Sequence, residues 1–425
     1  MELDHATCYR AVQARDRRFD GRFFTGVRTT GIYCRPVCPA VTPRARNVEF
    51  FACAAAAEQA GFRPCRRCRP ETAPGTPAWQ GTAATVTRAL RLIGEGALDG
   101  RSVPDLAARL GLGGRQLGRL FREHLGTTPV AVAQTRRAHF ARLLLEQGDL
   151  PLAQVALAAG FGSLRRFNAV MRSTFGVAPG ALRQAGTKPR KGAPTLVARL
   201  VFRPPYAWDE LLAFLAARAI PGVEAVAGDA YRRTIVWDGR PGLLTVRPGG
   251  PDHLRLEAEL AAADGAAAVV ARVRRMFDCD ADPAAIAAHL GADPLLARSL
   301  ARRPGLRLPS GWDPFETAVR AVLGQQVSVA AATTVAGRLV RRCGSPLPEA
   351  RDGLTHLFPT PRVLVAADLS GLGLTSGRAA TVAGLARAVA GGAVGLNADR
   401  GPDELAARLG ALPGIGPWTA AYVGG

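Results

Sequence analysis

Apolar residues at helical spacing mark the middle of the chain. Leu106, Leu110, Leu117, Leu120 and Phe121 fall on one face of a 3.6-residue repeat and assign themselves to a core. Ser102 is placed to cap a helix through Leu110, Gly111-Leu-Gly-Gly114 reads as a turn, and a second helix starts near Arg115. The unit recurs. Leu152 to Ala159 predicts a short apolar helix, Gly160-Phe-Gly162 a turn, and Ser163 opens a helix containing Arg165, Arg166 and Asn168. Two helices joined by a short Gly-containing turn make a helix-turn-helix, and residues 84–184 hold two. Their tails also echo each other, Leu125-Gly-Thr-Thr-Pro129 and Phe175-Gly-Val-Ala-Pro179.

The later half changes period. Leu196 to Phe202 predicts a strand, Trp208 to Ala219 a helix, Thr234 to Trp237 and Leu243 to Val246 strands, and Ala266 to Phe277 a helix. No catalytic constellation stands out there. From Trp312 the pattern is helical, with Asp313-Pro-Phe-Glu316 opening a helix that is expected to carry Val322-Leu-Gly-Gln-Gln-Val-Ser328. Pro-rich connectors at Pro70 to Pro77 and Ala185 to Pro194 bound three blocks, and Arg303 to Gly311 divides the last one. The expected domains are 1–72, 82–185, 195–305 and 310–425.

At 425 residues the chain is long enough for roughly two to four domains, each with its own core. Its formal charge of +21 is uneven: residues 1–191 carry +17 and residues 192–425 carry +4. The first half is therefore the stronger electrostatic partner for nucleic acid. Of the eight cysteines four fall in close pairs that suit one metal and Cys8, Cys53, Cys279 and Cys343 are scattered, which is no secreted disulfide scaffold and points to a reducing, cytoplasmic setting. The first residues, Met-Glu-Leu-Asp-His, have no signal-peptide pattern, and no apolar run approaches the ~18 residues of a membrane span.

Four of the cysteines, Cys34, Cys38, Cys65 and Cys68, form two close pairs, C-x3-C and C-x2-C, with turn-forming Gly31, Pro36, Pro39 and Pro64 beside them. The spacing predicts one tetrahedral zinc site. Spacing alone favours a closed knuckle that only holds the fold. Arg35, Arg63, Arg66, Arg67 and Arg69 crowd the site, and together they suit a surface facing phosphate.

Arg28-Thr-Thr-Gly-Ile-Tyr-Cys-Arg-Pro-Val-Cys38 and Gly61-Phe-Arg-Pro-Cys-Arg-Arg-Cys68, with the Arg15-Asp16 pair and Asn47-Val-Glu-Phe, resemble the N-terminal domain of the Ada family of alkylation-response proteins. The resemblance implies that a zinc-bound thiolate, Cys34 by position, accepts a methyl group from methylated DNA phosphate, with Cys38, Cys65 and Cys68 as the other ligands. The doubled unit at 84–184 resembles the AraC-type DNA-binding domain. There both second helices enter the major groove, so Arg115, Gln116 and Arg119, and Arg165, Arg166 and Asn168, are the implied base readers. Taken singly, each arginine suits phosphate or solvent better than a base.

Val273-Arg-Arg-Met-Phe-Asp278 resembles the N-terminal domain of the AlkA (3-methyladenine DNA glycosylase II) family. Leu412-Pro-Gly-Ile-Gly-Pro-Trp-Thr-Ala-Ala-Tyr422 resembles the helix-hairpin-helix glycosylase superfamily. By that resemblance Gly414 and Gly416 bring backbone N–H groups to a phosphate, often with a monovalent cation. Gln326 takes the place of the wedge that enters the duplex, and Trp418 and Tyr422 stack on a flipped base; each ring taken singly suits a core position too. The family's catalytic aspartate lies beyond the Tyr422 position, and none between 399 and 425 matches it, so no catalytic Asp carries over. Leu409, Leu412 and Val423 are expected to lie uncovered.

The expected fold class is multidomain and mainly α with α/β parts. It comprises a small zinc-binding α+β domain, an all-α double helix-turn-helix domain, an α/β domain and an all-α helix-hairpin-helix domain. The resemblances imply a bacterial, nucleoid-associated response protein that joins a methyl acceptor, a transcription activator and an alkylbase glycosylase module. Double-stranded DNA and RNA polymerase are the implied partners, with no membrane. The competing reading is a DNA-binding regulator with an inactive glycosylase remnant. The Pro-Cys-His-Arg motif of Ada's second methyltransferase domain is absent.

Overall fold

The computed structural model describes residues 4–70, 73, 84–148, 150–183, 195–396 and 402–424. Most of both Pro-rich connectors, with Lys188 and Lys191, lies outside the described residues. Contacts divide the chain into two compact units. The first is Met1–Ala207 with Gly249–Leu256 and Ala262–Leu308; the second is Trp208–Pro248 with Glu257–Ala261 and Pro309–Gly425.

The first unit opens with helix α1 (His5–Gln13), whose first N–H groups are capped by the Asp4 carboxylate. A small sheet follows: β1 (Phe24–Val27), β2 (Ile32–Cys34), β3 (Val48–Phe51) and β4 (Arg63–Pro64), in the order β3-β1-β2-β4. β1 is antiparallel to β2 and β3, while β2 runs parallel to β4, pairing Tyr33 with Pro64. Strands this short cannot bury much, and helix α2 (Ala54–Gln59) closes one face over Phe24 and Tyr33.

Six helices succeed it: α3 (Ala84–Gly94), α4 (Val103–Arg109), α5 (Gly114–Leu125), α6 (Pro129–Gln147), α7 (Leu152–Ala158) and α8 (Leu164–Phe175). The predicted caps are present. Ser102 and Asp105 form a reciprocal capping box on α4, and Ser163 accepts from the Arg166 N–H on α8. The echoing tails have one cause: α5 and α8 both end on a left-handed glycine, Gly126 (φ 67°) and Gly176 (φ 72°), before a proline opens the next turn. Leu106, Leu117 and Phe121 are fully buried with Val86, Leu92 and Ile93, while Leu120 packs on the margin of that core.

Thr195–Val201 and His253–Glu259 are strands, and Glu224–Ala227, Ala230–Trp237 and Arg240–Gly250 pair antiparallel in chain order. The two strands expected from 234–237 and 243–246 are longer than their apolar runs because the Asp238-Gly239 turn pairs Trp237 with Arg240. The helix expected over 208–219 stops at Ala216.

In the second unit, helices pack around Phe315, Val319, Val322, Leu339, Val382 and Leu385. Three expectations need correction. The last domain is not all-α: Ser345–Arg351 and Leu354–Leu357 pair as a hairpin. Its loop is Asp352-Gly353, both with positive φ, as a two-residue turn of this hand requires. The helix from Pro314 ends at Leu323 instead of running through Ser328. Ser328 caps the next helix, Val329–Cys343, and leaves Gly324 to Val327 as a turn. Leu409 is fully buried, and Leu412 and Val423 pack partly against the same core, so this apolar face is covered.

Candidate metal centre and nucleic-acid interfaces

Cys34 ends β2 and Cys65 follows β4, and the two strands lie side by side, the Cys65 N–H bonding the Tyr33 carbonyl at 3.0 Å. Tight turns then return Cys38 and Cys68 to the same point, closed by Cys38 N–H on Arg35 and Arg69 N–H on Cys65. All four sulfurs lie within 4.8 Å of one another, with Cys38 and Cys65 4.0 Å apart. Sulfurs about 2.3 Å from a tetrahedral zinc are about 3.8 Å apart, so the donor set fits that ion. In the absence of a metal, hydrogen bonding with Cys34 holds the Cys38 thiol down at about 7, while Cys34, bonded to Cys38, Cys65 and Cys68, is pushed far above the ordinary thiol range. A divalent cation bound here would hold the sulfurs as thiolates.

Cys65 and Cys68 are buried and Cys34 and Cys38 half-buried, and Cys34, Cys38 and Cys65 line a groove of about 490 Å³. Arg63, Arg66 and Arg67 are exposed along it. The other two arginines of the expected basic face turn inward. Arg35 pairs with Asp20 through two nitrogens and donates to the Cys68 carbonyl at 3.1 Å, while its backbone N–H points at Cys68 Sγ at 3.3 Å. Arg69 pairs with Glu146. Arg35 is therefore a support of the ligand loop.

Arg115, Gln116 and Arg119 stand on the exposed face of α5, and Arg165 and Arg166 on that of α8. Asn168 differs. It is half-buried, and its amide donates back to the Leu164 carbonyl at 2.9 Å. A base contact by Asn168 would have to displace that bond.

In the second unit, Gly414 and Gly416 are exposed in the turn between helices Pro402–Gly410 and Pro417–Gly424, anchored by buried Ile415. Gln325 braces the turn, its amide donating to the Gly414 carbonyl at 3.0 Å and the Thr419 hydroxyl at 3.2 Å. The neighbouring Gln326 is exposed in a left-handed conformation, φ 53°. Trp418 and Tyr422, 70% and 55% exposed, stack on each other at 5.3 Å and line a cavity of about 360 Å³. Phe214 and Arg218 form another wall, the guanidinium 3.7 Å over the Phe214 ring. Sequence reasoning passed over Gln325, Phe214 and Arg218. The first is one residue from the expected wedge, but nothing local in 208–219 signals a cavity wall.

The chain matches three family models: the metal binding domain of Ada at residues 7–71, a helix-turn-helix domain at 106–185, and the AlkA N-terminal domain at 197–313. It is 43% identical over its whole length to the "Probable bifunctional transcriptional activator/DNA repair enzyme AlkA" of Mycobacterium tuberculosis, covering 86% of that protein. It is 37% identical to DNA-3-methyladenine glycosylase 2 of Escherichia coli, over 52% of this chain and 78% of that one. With the bifunctional transcriptional activator/DNA repair enzyme Ada of E. coli it shares 36% over 43% of this chain and 52% of that one. An Ada-type metal-binding segment, a helix-turn-helix segment and an AlkA segment stand in one chain, matched end to end by one relative, and the chain belongs to the family of bifunctional transcriptional activator/DNA repair enzymes AlkA.

Proposed function

We propose that this chain answers DNA alkylation damage in three ways. Cys34 accepts a methyl group from DNA methylphosphotriesters, the paired helix-turn-helix units activate transcription, and an AlkA-type glycosylase module recognises alkylated bases such as 3-methyladenine, with no residue between 399 and 425 assigned as its catalytic aspartate. The domains are 1–72, 82–185, 195–305 and 310–425. The observation that carries the reading is the four-sulfur cluster with Cys34 half-buried on a groove flanked by exposed Arg63, Arg66 and Arg67. A sulfur meant only to hold a fold has no need of such access or of cations aimed at a polyanion.

Cys34, Cys38, Cys65 and Cys68 would hold the zinc, which would keep their sulfurs ionised at neutral pH. The arginines position a DNA phosphate over Cys34. The Cys34 thiolate attacks the methyl carbon of a P–O–CH3 group: the S–C bond forms, the C–O bond breaks, and its electron pair stays on the phosphate oxygen. The products are a phosphodiester and S-methylcysteine, so each chain acts once. Four thiolates on a divalent ion carry two net negative charges and the methylated set carries one, which weakens repulsion from the DNA backbone and tightens operator binding.

Arg115, Gln116, Arg119, Arg165 and Arg166 read the operator, and RNA polymerase is the partner recruited there, in the bacterial cytoplasm on the nucleoid. In the last module Gly414 and Gly416 hold a phosphate with the help of a monovalent cation, Gln326 fills the space left by the extruded base, and Trp418 and Tyr422 present an aromatic face to that base. Peptide mapping by mass spectrometry after incubation with methylphosphotriester duplex tests the first step. One methyl on Cys34 and tighter operator binding are expected; a methyl on another cysteine overturns the assignment.

A further inference from the structure

Side chains alternate along β2, so Cys34 faces the groove while Tyr33 faces the interior. Tyr33 is fully buried, and its hydroxyl donates to Glu58 Oε1 of α2 at 2.9 Å. The same carboxylate receives two groups from α6: the Thr135 hydroxyl on Oε2 at 2.6 Å and His139 Nε2 on Oε1 at 3.0 Å. His139 Nε2 also lies 3.0 Å from the Tyr33 oxygen, which a proton on Nε2 shared between both acceptors satisfies. Burial opposes the charge on Glu58, and the bonds from His139, Thr135 and Tyr33 outweigh it, holding the acid below its ordinary range. The His139 ring sits 6.1 Å from that of Phe175, which lines the groove itself.

Neither zinc ligation nor the exposed arginines of α5 and α8 call for this cluster. A buried polar cluster is by itself weak evidence of a contribution to stability. What it does is bind the residue before Cys34 to α6, the helix that joins the two helix-turn-helix units. We propose that Tyr33, Glu58, Thr135 and His139 are positioning residues that seat the acceptor strand on α6, so that methyl transfer to Cys34 depends on a helix of the DNA-reading domain. This rests on Cys34 being the acceptor. A strand of three residues has little stiffness of its own, and in-line attack on a methyl carbon demands close alignment.

The test uses the full chain with His139→Ala, His139→Gln and Glu58→Gln. Single-turnover methyl transfer from methylphosphotriester duplex and hydrogen exchange at Ile32–Cys34 are the readouts, with zinc content and unfolding midpoint as controls. His139→Ala is expected to keep one zinc, lower the transfer rate at saturating DNA by about 10-fold or more, and speed exchange at Ile32–Cys34. His139→Gln, whose amide can donate to Glu58, restores most of both, and Glu58→Gln falls between them. Unchanged exchange at Ile32–Cys34 in both His139→Ala and Glu58→Gln overturns the proposal, as does slow transfer in His139→Ala that His139→Gln fails to restore. If the parent chain takes no methyl on Cys34, the acceptor assignment fails instead, and exchange alone decides whether the strand is seated on α6.

Discussion

A β-carbon on Gly414 would lie 1.9 Å from the Thr381 hydroxyl, which is itself tied to the Gly377 carbonyl at 3.0 Å. The backbone there has φ 85°, which L side chains rarely adopt. Gly416, two residues on, meets nothing within 4 Å. Gly414→Ala is therefore expected to cost about 1–3 kcal/mol and to abolish capture of an abasic-site duplex by the last module, while Gly416→Ala keeps the unfolding midpoint. Trp418→Ala, at an exposed ring, should leave the midpoint alone and weaken binding of a flipped base by about 1–3 kcal/mol. Denaturation and fluorescence of a reporter base check both, and an undisturbed midpoint in Gly414→Ala would contradict the steric argument. Trp418 and Tyr422 were legible because four residues bring two rings to one helical face. Phe214, some two hundred residues away in sequence, reaches the same cavity with no local sign.

Helices α5 and α8 are built alike. Each starts beside a turn, exposes its arginines in the first two turns, buries a phenylalanine or leucine face, and stops on a left-handed glycine. A helix entering the major groove reads bases with its N-terminal residues. Arg115→Ala and Arg165→Ala should each reduce the preference for operator over random duplex by about 1–3 kcal/mol. An equal loss on both DNAs, seen by titration at fixed salt, would mean that these side chains touch only phosphate. Asn168→Ala should change little, because its amide is already bonded to its own helix. The caps and stops of these helices were written in residues three or four apart. The Asp352-Gly353 hairpin carried an equally local signal that the helical run around it hid, and the break after Leu323 came from Ser328, whose side chain caps the next helix.

For the molecule as a whole, the zinc centre and the charge distribution act on the same half of the chain. The sheet β3-β1-β2-β4 has strands of two to four residues, and two of its strands carry ligands to one point. Structural zinc contributes about 10 kcal/mol or more to folding in small domains of this kind. Chelation, or Cys65→Ala at a buried ligand, should therefore unfold residues 4–70 while the helical signal of the rest persists. Continued exchange protection of β1 and β2 after zinc is removed would count against this. Because Tyr33 is held through Glu58 to α6, the loss should also raise exchange around His139. The excess of +17 in residues 1–191 makes non-specific DNA binding strongly salt-dependent and keeps it with the first half.

The spacing of Cys34, Cys38, Cys65 and Cys68, the serine caps, the glycine stops and the Pro-Gly hairpin turn were all legible along the chain. Each is an interaction between residues a few positions apart, and the backbone geometry of a turn or a helix end dictates which residue types can make it. Nothing of that kind separates Arg35 and Arg69 from Arg63, Arg66 and Arg67. Asp20 and Glu146 draw the first two inward, and those partners come from elsewhere in the fold. The seat of Tyr33 on Glu58 and His139, the Gln325 brace and the Phe214 wall have the same origin. They exist only once packing brings distant segments within hydrogen-bonding or van der Waals reach, and that reach depends on the burial of the whole set of elements rather than on any local pattern.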